Sequence, residues 1–321
     1  MQKIIDADID PTPLREKRIA ILGYGNQGQA QALNLRDSGI DVTVGLRADS
    51  SSKAKAEAEG IATAPLINAV ASADIIMLLA PDEVLAAIYR EIEPHIRPGA
   101  ALGFSHGLAV RFQFIIPRPD LDAFMVAPKG PGTALRSLYQ QGKGMIALYA
   151  VAQNVSGQAE AIALAYGRAL GCGRAGIFRS TFAEECESDL FNEQAVVWGA
   201  IPEILIAGFD ILVEAGISEE VAYLECVGEL KLIAALIEAR GIAGMREAIS
   251  NTAELGAIIG GPQIVDDGVR SRMSEILKEI RNGEFSALLE DEEAAGYPRL
   301  RQARARARAL RIEQARKKLL D

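Results

Sequence analysis

Residues 18–39 read RIAILGYGNQGQAQALNLRDSG, and the change of period inside this stretch decides the fold. An apolar, β-branched run (RIAILGY, 18–24) gives way at the glycines to helical spacing, with Ala30, Ala32, Leu33 and Leu35 on a helical period. Strand, tight turn and helix follow in that order. Gly23, Gly25 and Gly28 form G-x-G-x-x-G at the junction, and this context turns a weak pattern into a dinucleotide fingerprint. The first glycine permits the turn, the second lets a pyrophosphate approach the backbone, and the helix amino terminus offers free N–H donors.

Working outward, IDVTVGL (40–46) reads as a second strand, KAKAEAEG (53–60) as a second helix, and ADIIMLLAP (73–81) as a strand covered on both faces. Further apolar runs at 101–106, 123–129 and 145–153 continue the alternation, which predicts a Rossmann-type α/β fold with a doubly wound parallel sheet. After about Phe182 the strand-like runs stop, and long Leu-, Ile- and Ala-rich periodic segments follow, broken at Gly199, Gly216, Gly241 and Gly256. The expected organisation is therefore a dinucleotide-binding domain over 1–180 and an all-helical domain over 181–321.

Composition sets outer limits. The 321 residues are 49% apolar and 24% charged, as expected of one or two globular domains. With 34 Lys and Arg against 43 Asp and Glu, the net charge of −9 argues against sequence-blind binding to nucleic acid. Cys172, Cys186 and Cys226 show neither paired nor zinc-type spacing, which suits a reducing cytoplasm. The first twenty residues are too charged for a secretory signal. The longest apolar stretch, Ala195 to Gly216, is interrupted by Glu203, Asp210 and Glu214, so it reads as a buried helix of a soluble protein and no membrane is implied. The basic segment 299–318 reads as a solvated terminal helix.

At the end of the second strand, where an NAD enzyme usually presents a carboxylate, this chain has Arg47, followed by Ser50, Ser51 and Ser52. A guanidinium and hydroxyls suit a 2′-phosphate, so NADPH is expected; Asp49 in the same loop leaves NADH possible. Between Ser180 and Leu230 there is no Lys or Arg, yet the stretch holds twelve acids. Asp189 and Glu193 lie four apart, as do Glu225 and Glu229, each pair on one helical face within apolar text. Oxygen donors of this kind select Mg²⁺ over zinc, with two solvated acidic faces as the alternative. His106 and Lys129 both end predicted strands, where ligands bind in open α/β sheets. His106 reads as a catalytic or cofactor contact or a structural histidine, and Lys129 as a contact to an anionic substrate or a plain turn lysine.

The segments GYGNQGQAQALNLRDSG, VGLRADSSSKA, LLAPDE, SHG, APKGPG, ESDLFNEQ, AYLECVGELKLI and ISNTAELG, in this order and spacing, resemble ketol-acid reductoisomerase, the acetohydroxyacid isomeroreductase of branched-chain amino acid synthesis. The likeness spans about residues 1–315 and fits the family's short form. It implies a Rossmann domain joined to a knotted helical domain that interlocks in a homodimer, with higher oligomers open. It further implies that Asp189 and Glu193 hold two Mg²⁺ ions, with Asp189 bridging them. Glu225 and Glu229 would come from the partner chain, Glu225 near the second ion and Glu229 serving substrate and proton transfer. Ser250 would hold the substrate carboxylate, and His106 and Lys129 would support the metal-water network and the nicotinamide side. Cofactor contacts are expected from Gly23, Tyr24, Gly25, Asn26, Gln27 and Gly28, from Arg47, Ser50 and Ser52, from Pro81 and Asp82, and from His106 and Gly132. The implied reaction is an alkyl shift in 2-acetolactate or 2-aceto-2-hydroxybutyrate followed by NADPH reduction to the 2,3-dihydroxy acid.

Seven positions depart from the family pattern. Gln29, Gln31, Thr133 and Gly228 stand where histidine is usual, and Arg111, Asn192 and Leu255 are also unusual. They leave open an alternative, a diverged NAD(P)H reductase for a different keto or imino acid. A non-catalytic NADP-binding redox sensor is disfavoured by retention of the four carboxylates with Lys129 and Ser250.

Overall fold

Ile19 and Ile21 turn to one face of a strand and Ala20 and Leu22 to the other, and all four are buried. Two apolar cores therefore form, one on each side of a single sheet. The first gathers Ile21, Val44, Phe124 and Tyr166, and the second Leu22, Ile76, Leu102 and Phe104. Full burial of one such side chain contributes roughly 1.5–3 kcal/mol relative to exposure, so a central strand buried on both faces anchors the whole unit.

The structure, a computed structural model, describes residues 1–320; Asp321, the last residue of the expected helical domain, lies outside the described residues. The strands are β1 (Lys3–Ile4), β2 (Arg18–Leu22), β3 (Asp41–Leu46), β4 (Ala62–Pro65), β5 (Ile75–Leu78), β6 (Ala101–Phe104), β7 (Asp122–Pro128), β8 (Ala147–Gln153) and β9 (Ile177–Arg179). Their order across the sheet is β1-β9-β8-β7-β6-β5-β2-β3-β4. Strand order reverses about β2 and β5, which opens a crevice at the carboxyl ends of those strands. The helices of this region are α1 (Asn26–Asp37), α2 (Ser52–Ala58), α3 (Leu66–Ser72), α4 (Asp82–Ile92), α5 (Leu108–Arg111), α6 (Gly132–Gln140) and α7 (Ala159–Ala169).

The fold is the expected Rossmann-like α/β arrangement, and the sheet is mixed. From β7 to β4 all neighbours are parallel, but β8 runs antiparallel to β7 and β1 antiparallel to β9. Direction depends on where a connection leaves the chain, and apolar alternation carries no such information.

The chain divides into two compact units, Met1–Ser188 and Asp189–Asp321. The division falls inside α8 (Phe182–Ala195), shortly after the change of character read at Ser180. The described part of the second unit is helical: α9 (Ala200–Glu214), α10 (Glu219–Tyr223), α11 (Leu230–Glu247), α12 (Asn251–Ile264), α13 (Asp267–Arg281), α14 (Glu284–Ala294), α15 (Pro298–Arg308) and α16 (Arg311–Leu320). Gly199 and Gly216 interrupt the helices as expected, the first at the start of α9 and the second just past its end, and Gly241 (φ 68°) kinks α11. Gly256, expected to break a helix, lies inside α12, because neighbouring residues maintain the helix around it.

A further expectation fails in the single chain. The apolar stretch 195–216 is not buried: in α9 only Phe209 is buried, while Ile204 is 50% and Ile211 65% exposed. Phe209 packs in a small cluster with Ala222, Ile312 and Ala315, joined by the partly buried Ile206, Leu212 and Val213 of α9, and Ile204 and Ile211 are left outside it. The span 182–214 is long and apolar enough to cross a bilayer by length and composition alone. Glu203, Asp210 and Glu214 interrupt that span, each costly at membrane depth.

Candidate active site

Tight packing shapes the glycine turn between β2 and α1. A methyl on Gly28 would lie 2.3 Å from the carbonyl oxygen of Gly23, whereas nothing stands within 4 Å of the corresponding position on Gly25. Gly28 thus lets α1 close on the strand, and Gly25 leaves open the approach that a pyrophosphate needs. Two cavities flank the turn. One, about 270 Å³, is lined by Gly23, Tyr24, Gly25, Arg47, Ser50, Ser52 and Pro81 among others. The other, about 280 Å³, is lined by Gly25, Asn26, Gln27, Pro81, Asp82, Ser105 and His106 among others. These shapes fit an extended dinucleotide with its phosphates at the turn. Arg47 is 70% exposed and lies 4.0 Å from Asp49, so its guanidinium remains open to a further anion.

Gly132, expected at the cofactor, sits behind the turn, where a methyl would come within 2.0 Å of the Asn26 carbonyl oxygen. The Thr133 N–H donates to Asn26 Oδ1 at 3.1 Å and Gln27 Nε2 donates to the Gly130 carbonyl at 2.9 Å. The loop after β7 is thereby fastened to the turn after β2. Tyr24 donates to Glu59 at 2.6 Å, and burial with this acid raises its phenol well above its ordinary pKa. Gln29 is held on the same acid, donating to Glu59 at 2.6 Å and accepting from Lys55.

His106 and Lys129 follow the adjacent parallel strands β6 and β7 and meet on an acid that the sequence reading did not single out, Glu185 of α8. Its side chain is 1% exposed. Oε2 lies 3.1 Å from His106 Nδ1 and accepts the Gly107 N–H at 2.8 Å, while Oε1 accepts from Lys129 Nζ at 3.3 Å. Gly107 makes this possible, because a methyl there would lie 2.2 Å from the Phe182 carbonyl oxygen in the first turn of α8. Thr181 starts that turn, its hydroxyl accepting the Glu184 N–H at 3.0 Å.

Burial alone would raise the Glu185 carboxyl, but the hydrogen bond and charge of His106, followed by Lys129 and the Gly107 N–H, hold it below the usual carboxylate range. Burial opposes charge on His106 as well. Hydrogen bonds to Cys186 and Glu185 and the negative charges of Glu185 and Asp82 outweigh it and raise the imidazole well above its usual value. An anionic acid therefore lies between two cations at the carboxyl ends of the sheet. Arg111, one of the unusual residues, bonds Glu187 at 3.0 Å and belongs to the same corner.

Glu185, Asp189 and Glu193 succeed one another at one-turn intervals along α8, and such all-oxygen donors fit a hard divalent cation. The apolar text around these pairs does not bury them alike: Asp189 is half-buried, whereas Glu193, Glu225 and Glu229 are exposed. Nor do Glu225 and Glu229 share one α-helical turn, since Leu224–Gly228 is wound as a π-helix and Glu229 precedes α11. Such widened turns occur frequently at functional sites. Ser250 caps α12, accepting the Ala253 N–H at 3.2 Å.

Two family models match this chain: the NADPH-binding domain of acetohydroxy acid isomeroreductase over residues 13–176, and the C-terminal domain of ketol-acid reductoisomerase over residues 182–321. The chain belongs to the ketol-acid reductoisomerase family. An NADH-preferring ketol-acid reductoisomerase from an uncultured archaeon is 43% identical, with a TM-score of 0.97 over 99% of this chain and 98% of that one. Among more distant folds, a semialdehyde dehydrogenase NAD-binding protein from Cupriavidus necator is 20% identical (TM-score 0.63, covering 83% of this chain and 99% of that one). Pyrroline carboxylate reductase from Plasmodium falciparum is 12% identical (TM-score 0.55, covering 84% and 98%). These two share the fold alone. Family membership makes the chain an oxidoreductase and isomerase with a nicotinamide cofactor, of branched-chain amino acid synthesis.

Proposed function

We propose that this ketol-acid reductoisomerase converts 2-acetolactate or 2-aceto-2-hydroxybutyrate to the 2,3-dihydroxy acid with NADPH and two Mg²⁺ ions, as a cytoplasmic homodimer whose chains share each site. The observation that carries the reading is the position of His106, which lines the dinucleotide cavity and also bonds the buried Glu185. Cofactor and acid corner are therefore one place. The oxygen donors Asp189 and Glu193, with Glu225 and Glu229 of the second chain, would hold the metal ions. When bound, the ions polarise the ketone and acidify the neighbouring hydroxyl. The reduced nicotinamide, when bound, supplies hydride.

The chain's own groups do the rest. Lys129 and the His106 imidazolium bring positive charge to an anionic substrate, and Glu185 fixes both in place. Ser250 offers a hydroxyl for the substrate carboxylate, and Glu229 a carboxylate for proton transfer. Arg47, Ser50 and Ser52 around one cavity favour a 2′-phosphate, which supports NADPH although the archaeal relative prefers NADH. Three free thiols suit a reducing compartment.

The test follows NADPH absorbance with 2-acetolactate, with and without Mg²⁺, and again with the already isomerised 3-hydroxy-2-keto acid. Metal-dependent turnover of both is expected. Turnover of the second compound alone would reduce the enzyme to a reductase, and a lower KM for NADH than for NADPH would overturn the role of Arg47.

A further inference from the structure

The hydrogen bonds behind the dinucleotide cavity can run in only one direction. The Gly130 carbonyl can only accept, so Gln27, 2.9 Å away, must turn its Nε2 toward it and its Oε1 away. Gln31 lies one turn further along α1 and is wholly buried. It must then offer its own Nε2 to Gln27 Oε1 at 3.1 Å, and the same nitrogen reaches Ser105 Oγ at 2.9 Å. Its Oε1 is left to accept from the Tyr166 hydroxyl at 2.7 Å. The direction of every bond along this chain is thereby fixed. Ser105 accepts from Gln31 and keeps its own proton, which no protein acceptor takes among the described residues. Its half-buried hydroxyl lines the cavity with Gly25, Asn26, Gln27 and His106.

We propose that Ser105 is a dedicated hydrogen-bond donor to the nicotinamide half of the bound dinucleotide, held in that role by the chain of Gln27, Gln31 and Tyr166. The assignment to that half follows from strand order. Ser105 follows β6, beyond β5 from β2, whereas Arg47 follows β3 on the opposite side of β2. A dinucleotide straddling the reversal places its two nucleosides on these opposite sides. The ligand atom is an acceptor oxygen, such as a carboxamide carbonyl. The glutamine also has a reason to stand where histidine is usual: one amide nitrogen carries two protons and serves Gln27 and Ser105 together, while an imidazole nitrogen carries one.

This inference rests on the cofactor reading above, and the experiment separates the two. Purified enzyme without substrate is titrated with NADPH and with 2′,5′-ADP, which lacks the nicotinamide half, following intrinsic fluorescence or heat. Ser105→Ala should raise the Kd for NADPH about 5- to 10-fold, the effect of one lost hydrogen bond. The Kd for 2′,5′-ADP should stay within about twofold and Ser105→Thr should restore NADPH binding, since the contact lies on the other half and threonine keeps the donor. An unchanged NADPH Kd in Ser105→Ala, equal weakening of both probes, or no recovery in Ser105→Thr would overturn the role of Ser105 alone. Failure of the unsubstituted enzyme to bind either probe would overturn the cofactor reading and this inference with it.

Discussion

Glu185 carries the chemistry of the acid corner at the residue scale. Glu185→Gln keeps the shape and an acceptor for the Gly107 N–H but removes the charge opposite Lys129 and His106. Activity should fall at least about 100-fold, the scale of losing a positioned proton-transfer or electrostatic group, with the far-UV circular dichroism unchanged. Asp74 plays a structural part at the other end of the strands. It accepts the Arg18 N–H at 2.9 Å and pairs with Arg97. Burial would raise its carboxyl, but these bonds hold it below its ordinary value. A lowered folded pKa means stability that is present above the unfolded pKa near 3.8 and lost as pH falls through the lower folded value. Asp74→Asn should cost about 1–3 kcal/mol at neutral pH, and acid denaturation curves should show the variant losing less than the parent below that range. Burial pushes the Cys172 thiol up to about 12, so it should resist alkylation until the protein unfolds, as read by mass spectrometry. The glycine turn, His106 and Lys129 were legible because each ends an apolar run. Glu185 was not, since it is one acid among twelve in its stretch, and only the approach of α8 to the ends of β6 and β7 distinguishes it. The spacing Glu185, Asp189, Glu193 was the available signal.

Elements show the same division between what pattern reveals and what pairing decides. Six strands were legible from apolar text, whereas β1, β4 and β9 carry no such run and are fixed by the neighbouring strand that pairs with each. The reversal of β8 and the π-wound turn at Glu225 were equally invisible, since both depend on backbone hydrogen bonds that periodicity does not report. Helix α1 has the least tolerance. Gly28→Ala would force a methyl against the Gly23 carbonyl, and we expect a loss of roughly 1–3 kcal/mol from overpacking, read as a lower Tm, with weakened cofactor binding.

Over the whole molecule, the helical unit leaves Trp198, Ile211, Leu232, Leu255 and Ile259 more than half exposed, large apolar side chains of the kind that cover one another between protein chains. Light scattering should therefore report a dimer. If the two carboxylate pairs of a site come from different chains, Asp189→Asn and Glu225→Gln chains, each inactive alone, should recover about a quarter of full activity when assembled together, since half the dimers are mixed and each of those retains one intact site. No recovery would place all four acids in one chain. The division between the units has a practical corollary. It falls within α8 instead of in a linker, and Glu185 stands on the nucleotide-binding side of it. A fragment trimmed at Ser180 would retain every strand yet lose the Glu185 carboxylate that bonds Lys129 and His106. Those contacts survive only in a nucleotide-binding half that keeps the opening turn of a helix that continues into the other half.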